Sequence, residues 1–365
     1  MSHPAFSSSS QQGQAVPLTI IEGPTAWTSS DYANSEKHIY TLTESDIAEL
    51  DTQIAAIEAS DIDIKDVKKG AYPLATFGPK LADIQGEVSW GRGFALLRGV
   101  PVERYTRKQS LIAFWLIGQY WGLAVPQNKK GHLIGHIKDI GHDATKPETR
   151  LYATNVAQPW HNDGPADLVS LLCLKPAKAG GSSGWASSVS VYNEMLKRAP
   201  ELARVMTERG TWFWDRKGEI PAGKEGYYEM PVFNFFEGYL SVNFSDNYYF
   251  LSQRHESVPR LTDLQLQAIK MFNELAQSPE LRMDYILKPG DIQLLSNHVC
   301  LHYRSAIDDY PETDRKRHLL RLWLTPSDER PLPHFYEDMQ GSTEIGKRGG
   351  IRTPGQVESI SYEAE

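Results

Sequence analysis

The segment PWHNDGPADLVSLLCL carries the first residues whose types and spacing could do chemistry. His161 and Asp163 are two apart, so in an extended chain both side chains leave the same side of the backbone. One imidazole and one carboxylate on one face supply two ligands to a divalent metal. An open three-ligand site then needs one more histidine from a distant strand. Alone, the His-x-Asp pair recurs by chance in many chains. His302, in GDIQLLSNHVCLHYRSAIDD, lies in an apolar run that reads as a strand entered through a turn at Ser296-Asn297. A histidine there is ordinarily a satisfied core residue; facing His161 and Asp163, it would complete the ligand set. His298 competes for that role, although its place beside the turn suits a solvated or capping side chain better.

RKRHLLRLWL holds the next candidates. In a strand, Leu319, Arg321 and Trp323 share one side, and His318, Leu320 and Leu322 share the other. A guanidinium between leucine and tryptophan costs free energy unless a carboxylate meets it. That carboxylate is either an internal Asp or Glu, or a bound dicarboxylate gripped by the arginine fork. Arg317 has the same parity and could face the same pocket from its mouth, whereas Arg315 and Lys316 read as solvated turn charges.

Two further groups weigh less. GHLIGHIKDIGHD holds His132, His136 and His142, but lacks the glutamate of a helical zinc-hydrolase motif, and is expected to be a structural loop near the site. Trp212, Trp214, Tyr227, Tyr228, Phe233, Phe235, Tyr248 and Tyr249 crowd the region between the ligand candidates. Aromatics at strand spacing are chiefly core. The remainder could line an apolar substrate pocket, with the charged GKEGYYE loop as a lid. The substrate-contact candidates are Asn155, Trp212, Tyr227, Tyr228 and Phe235.

These residues need a scaffold, and 365 residues allow one elaborated domain or two small ones. A chain this long buries enough surface to need no structural metal, so a metal here would serve chemistry. A net charge of −8 repels nucleic acid and anionic membrane over most of the surface. The two cysteines, Cys173 and Cys300, sit in apolar runs and fit a reducing compartment. No segment is long and apolar enough to span a membrane, and the N-terminus lacks the basic start and apolar stretch of a secretory signal. A cytoplasmic protein is expected, with a floppy Ser/Gln-rich tail over 1–16, one domain over 17–340 and a polar C-terminal tail over 341–365.

Helical patterns dominate the first third. Thr43 and Asp46 resemble a capping pair ahead of Ile47, Leu50, Ile54 and Ile57. Phe77, Leu81, Ile84 and Val88 repeat the spacing, GFALLRG reads as a buried strand, and TRKQSLIAFWLIGQYWG is helix-like. After about residue 150, short β-rich runs such as DLVSLLCL, TWFWD, YLSVNF, DIQLLSN and HLLRLWL alternate with turns. Two helical stretches interrupt them, YNEMLKRAPELARVMTE and LTDLQLQAIKMFNELAQ. Many short strands argue for a sandwich or barrel with helices packed outside. No glycine fingerprint for a dinucleotide or P-loop is present.

From roughly Gly91 to Trp323 the chain resembles the iron(II)/2-oxoglutarate-dependent dioxygenases of the taurine dioxygenase (TauD/TfdA-like) family. The resemblance runs through GFALLRGVPVERY, RLYATNVAQPWHNDGPADL, KAGGSSGWASSVSVYNEM and KPGDIQLLSNHVCLHYRSA to RHLLRLWL. It implies an α+β, mainly β fold: a double-stranded β-helix (jelly roll) core over about 90–325 with flanking α-helices. It also implies that His161, Asp163 and His302 are facial Fe(II) ligands. Arg321 then matches the arginine on the distal carboxylate of 2-oxoglutarate, and Ser183 the hydroxyl residue that helps it, with Ser182 as a substitute. Arg317 matches a second arginine near the C1 carboxylate. The implied reaction oxidises an unactivated C–H bond of a small organic molecule with O2, releasing succinate and CO2. Asp163 leaves no ligand vacancy for chloride, which argues against halogenation. An amino acid, a sulfonate or a secondary-metabolite intermediate would fit as substrate, and a homo-oligomer is compatible. The rival readings are a jelly-roll binding protein without turnover and an iron oxygenase that does not consume 2-oxoglutarate.

Overall fold

The computed structural model describes residues 18–365, so the tail expected over 1–16 lies outside the described residues. Thr43 caps the helix Glu44–Ala59 through a reciprocal box with Asp46, and Leu50, Ile54 and Ile57 are buried on one face. The helix Phe77–Trp90 buries Phe77, Leu81, Ile84 and Val88. The helix Arg107–Gly118, capped by Thr106 and Gln109, is buried without interruption from Ser110 onward, as its all-round apolar sequence requires.

These three helices cover one face of an eight-stranded sheet, joined there in one apolar cluster. Its strand order is Ile39–Thr41, Phe94–Arg98, Ile292–Ser296, Leu168–Lys175, His318–Thr325, His132–Ile137 and Ser359–Ile360, with Leu123–Ala124 beside the end of His318–Thr325. Only the first and last pairings along this path are parallel. Alternation along each strand sorts the side chains. Leu168, Leu172, Leu320, Leu322 and Leu324 meet the helices. Leu171, Cys173 and Leu319 point the other way, toward a second sheet. With both faces covered, the central strands read as near-continuous apolar runs.

The second sheet has four antiparallel strands in the order Arg282–Tyr285, Ser183–Ser187, Cys300–Arg304, Gln158–His161. On its outer face Trp160, Ala186 and Leu301 pack with the helices Ser188–Arg198, Pro200–Val205 and Asp263–Gln277. On its inner face Trp185, Met283 and Cys300 join Phe94, Leu96, Leu171 and Leu319 of the large sheet. Trp185 Nε1 crosses the gap to Gln293 Oε1 at 3.1 Å. The result is a mixed α+β architecture of helices, sheet, sheet and helices.

Three expectations change. The stretch expected as a loop around His132 and His136 is the strand His132–Ile137. YNEMLKRAPELARVMTE forms two helices, because Pro200 starts a new one after Arg198. Residues 341–365 are no loose tail. Arg348 is fully buried and bonds through Nε to both oxygens of Asp167, at 2.9 and 3.0 Å, and Ser359–Ile360 adds an edge strand. The polar composition of that segment hides one buried ion pair and one backbone ladder. Among the described residues, no helix is long and apolar enough to cross a membrane.

Candidate active site

The strand Gln158–His161 ends on His161, and the strand Cys300–Arg304 places His302 directly opposite it in register. Cross-strand partners share a face, so both imidazoles enter the space between the sheets, with ring centroids 4.1 Å apart. Asp163 follows two residues later, its Oδ1 3.8 Å from His161 Nε2. One ligand atom from each of His161, Asp163 and His302 lies within 4.8 Å of the others, and all three residues are buried.

Two asparagines hold this turn. Asn297 Oδ1 accepts from the Asp163 backbone N–H at 3.0 Å, and Asn297 Nδ2 donates to the carbonyls of Asp163 and Ala166. Asn162 donates to the carbonyls of Asn297 and Cys300 and accepts from Phe244 N–H. They tie the two ligand-bearing segments together. Sequence reasoning read Asn297 only as a turn residue and passed over Asn162, although each amide lies in or beside a ligand-bearing segment.

Electrostatics prepares the set for a cation. Burial lowers His161, and burial followed by its neighbour His161 pushes His302 down to about 3, so both rings are neutral at physiological pH. His161 Nδ1 lies 2.7 Å from Pro159 O, which fixes the proton there and leaves Nε2 as the lone pair. Gln158 Nε2 stands 2.7 Å from that lone pair. His302 Nε2 is buried with no hydrogen-bond partner. Burial opposes the Asp163 charge, but the Arg321 guanidinium and then the imidazoles outweigh it and hold the carboxyl well below its usual range. Trp323 Nε1 donates to Asp163 Oδ2 at 2.8 Å.

Arg321 faces the interior beside Trp323, as strand parity requires, but its partners are internal. Nη1 bonds both oxygens of Asp163 at 3.2 Å, and Nε donates to Gln127 Oε1 at 2.7 Å. A Cβ at Gly135 would sit 2.7 Å from Gln127 Oε1, so glycine lets this amide reach the arginine. The carboxylate that meets the Arg321 guanidinium in this structure is thus an internal one, Asp163. Arg317 is different. It is 5% exposed, its buried Nη1 has no partner among the described residues, and burial pushes it down to about 10. It lines a small cleft with Gly180, Gly181, Leu287 and Leu319. Ser183 is buried on the strand that continues from Gly181, whereas Ser182 Oγ bonds Ser305 Oγ at 3.0 Å.

His298 is not solvated. It is buried and bonded to Asp167 at 2.9 Å, in a network closed by Arg348 and Thr325. His136 Nδ1 lies 2.8 Å from His318 Nε2, and His142 is exposed. Among the described residues, His161, Asp163 and His302 are the group of three able to hold a metal.

Of the substrate-contact candidates, Tyr228 lines a cavity next to Gly164 and Pro165, shared with Arg150, Trp214, Tyr248 and Ile351. Trp212 is instead fully buried core, donating to Val205 O at 2.8 Å. Phe235 packs edge-on against Tyr192, and Tyr227 lies 2.7 Å from Ser257 Oγ on the hairpin's other side. Asn155 is exposed and contributes its carbonyl to Ile307 N–H. Alternation explains the split, because Trp214 and Tyr228 are paired across the hairpin. The stretch expected as a lid supplies the second strand of that hairpin, Tyr227–Glu229.

The taurine catabolism dioxygenase TauD, TfdA family matches residues 69–323. FR-33289 synthase of Streptomyces rubellomurinus is 33% identical over 321 residues, 86% of this chain and 92% of that protein. The taurine hydroxylase-like protein SAT17 of Stachybotrys chartarum is 27% identical, over 81% of this chain and 77% of its own. Among solved structures, an asparagine oxygenase complexed with Fe(II), 3-hydroxyasparagine and succinate has a TM-score of 0.61 at 15% identity, covering 79% of this chain and 93% of its own. The non-heme iron oxygenase OrfP with Fe and alpha-ketoglutaric acid has a TM-score of 0.60 at 15% identity, covering 80% and 94%. At those identities the structures speak to the fold alone.

Proposed function

Because this chain belongs to the TauD/TfdA family of Fe(II)/2-oxoglutarate-dependent dioxygenases, we propose that His161, Asp163 and His302 hold the iron and that Arg317 with Ser183 holds the distal carboxylate of 2-oxoglutarate. The enzyme is an oxidoreductase acting on a small organic molecule. The observation that carries the metal assignment is His302 Nε2, a buried ring nitrogen with no hydrogen-bond partner among the described residues, beside His161 and Asp163. Two neutral imidazoles and one carboxylate on one face are the donor set that suits non-heme Fe(II) and leaves coordination positions open.

When bound, iron, 2-oxoglutarate and O2 would together supply the oxidation of a C–H bond, with release of succinate and CO2. The chain does the positioning. Pro159 O fixes the His161 tautomer, and Gln158 is the side chain that must yield its contact to a metal. Arg321 and Trp323 keep Asp163 ionised and aimed. The reading thus exchanges the two arginines relative to the sequence expectation. Arg321 is committed to Asp163, while Arg317 offers an unpaired buried donor in a cleft beside Gly181. Trp214, Tyr228 and Tyr248 wall the cavity beside Gly164 and would receive the substrate and exclude water.

The two facing sheets support a double-stranded β-helix (jelly roll), and the buried Arg348 supports one domain that includes residues 341–365. The test is a screen of small organic acids, amines and amino acids against Fe(II)-loaded protein, read by succinate and product mass. A substrate-dependent rise in succinate with an oxidised product is expected. An oxidised product formed without 2-oxoglutarate would overturn the co-substrate assignment.

A further inference from the structure

We propose that Arg304 is a second guanidinium of the co-substrate pocket, donating together with Arg317 to the carboxylate of 2-oxoglutarate remote from the metal. This rests on the reading of the site as a 2-oxoglutarate pocket and adds a residue to it. Arg304 stands two residues after His302 on the same strand, so it shares the inner face. Across the ladder its register partner is Ser183. Arg317 approaches the same place from the large sheet, its Cδ and Nε only 3.0 Å from where a Cβ on Gly181 would lie. Ser183 therefore has one arginine beside it and another behind the preceding turn.

Both guanidiniums are 5% exposed. Arg304 uses Nη2 on the carbonyls of Leu151, Thr154 and Val156, and among the described residues its buried Nε and Nη1 have no partner. Arg317 Nη1 is likewise without a partner. The carboxylates in this neighbourhood are committed elsewhere. Asp309 accepts from the Arg317 backbone N–H, and Asp139 pairs with Lys316 at 3.0 Å. Asp163 and Arg321 already neutralise each other.

Two buried cations with three unpaired donors are costly unless an anion meets them. A carboxylate has about four lone-pair sites, enough for two forks and a hydroxyl. The excess positive charge makes the pocket selective for a dicarboxylate over a 2-oxo acid lacking the second carboxylate.

The experiment is anaerobic calorimetric titration of the metal-loaded wild type, Arg304→Gln and Arg304→Lys with 2-oxoglutarate and with 2-oxopentanoate, alongside metal content and Tm. Arg304→Gln should weaken 2-oxoglutarate by about 10- to 100-fold, leaving 2-oxopentanoate and metal content unchanged. Arg304→Lys, a point charge without the fork, should fall between. Unchanged preference for 2-oxoglutarate in either variant would overturn the proposal. So would parallel loss of both 2-oxo acids and metal, which would mark Arg304 as a prop for the 151–156 carbonyls. If Arg304→Gln does not fold, the preference measured in Arg304→Lys decides alone. Wild type that takes metal but no 2-oxoglutarate would instead remove the pocket reading itself.

Discussion

His302 and His161 occupy facing positions on adjacent antiparallel strands, with their rings inclined by 31° and 4.1 Å apart between centroids. Register alone makes this meeting. A slip of one residue would turn His302 outward and bring Leu301 or Tyr303 into its place. Both rings are buried and neutral, and His302 Nε2 has no hydrogen-bond partner among the described residues.

His302→Ala should abolish stoichiometric Fe(II) binding with little change in Tm, because its Nε2 bonds nothing among the described residues. His298→Ala should do the reverse. Iron binding should survive while stability falls by about 1–3 kcal/mol, the loss of a buried bond to the Asp167 carboxylate. Metal analysis and chemical denaturation of the two variants separate them.

The arginines differ in the same way. Arg317→Met should raise the 2-oxoglutarate concentration needed for half-saturation by about 10- to 100-fold, from the loss of a charge-assisted bond. Arg321→Met should affect it far less. Its removal takes away the first of the groups that hold Asp163 ionised, so the carboxyl rises. Protons then compete with metal sooner, and the acid limit of Fe(II) binding should move to higher pH. Metal binding measured across acid pH reads this shift.

Arg348→Met should destabilise the fold by about 3–5 kcal/mol, because Asp167 would remain buried and charged with its arginine gone. Deleting residues 341–365 should be at least as damaging. Urea unfolding measures both, and a truncated chain as stable as the full one would mean that the segment is dispensable.

Acid stability should depend on His318. Burial above all, with Arg107 and His136 next, pushes it down to about 2 from its ordinary 6.5. Between these values the unfolded chain binds a proton that the native state does not. Stability therefore rises with pH through this window and falls on acidification below 6.5, by about 1.4 kcal/mol per pH unit from this residue. His318→Asn should reduce the proton uptake on unfolding near pH 5 by about one, measurable from the pH dependence of the urea midpoint.

The sequence made several elements legible because their signals are local. The Thr43–Asp46 box, the helix face of Leu50, Ile54 and Ile57, and the inward parity of Leu319, Arg321 and Trp323 all follow from neighbours along one segment. What stayed hidden depends on pairings between distant segments. Whether Arg321 meets Asp163 or a ligand is set across strands far apart in the chain. The same is true of the Asp167–Arg348 pair that ties down a polar terminus. Asn297 looked like a turn residue because its side-chain bonds run to the segment 163–166.

The central claim is that His161, Asp163 and His302 form one iron site that serves a 2-oxoglutarate pocket, and it needs no knowledge of the substrate. Anaerobic titration of the 365-residue chain with Fe(II), followed by 2-oxoglutarate, should give one equivalent of iron and then one of co-substrate, with His302→Ala losing the iron step. Wild type that binds no iron, or His302→Ala that binds a full equivalent, would contradict it.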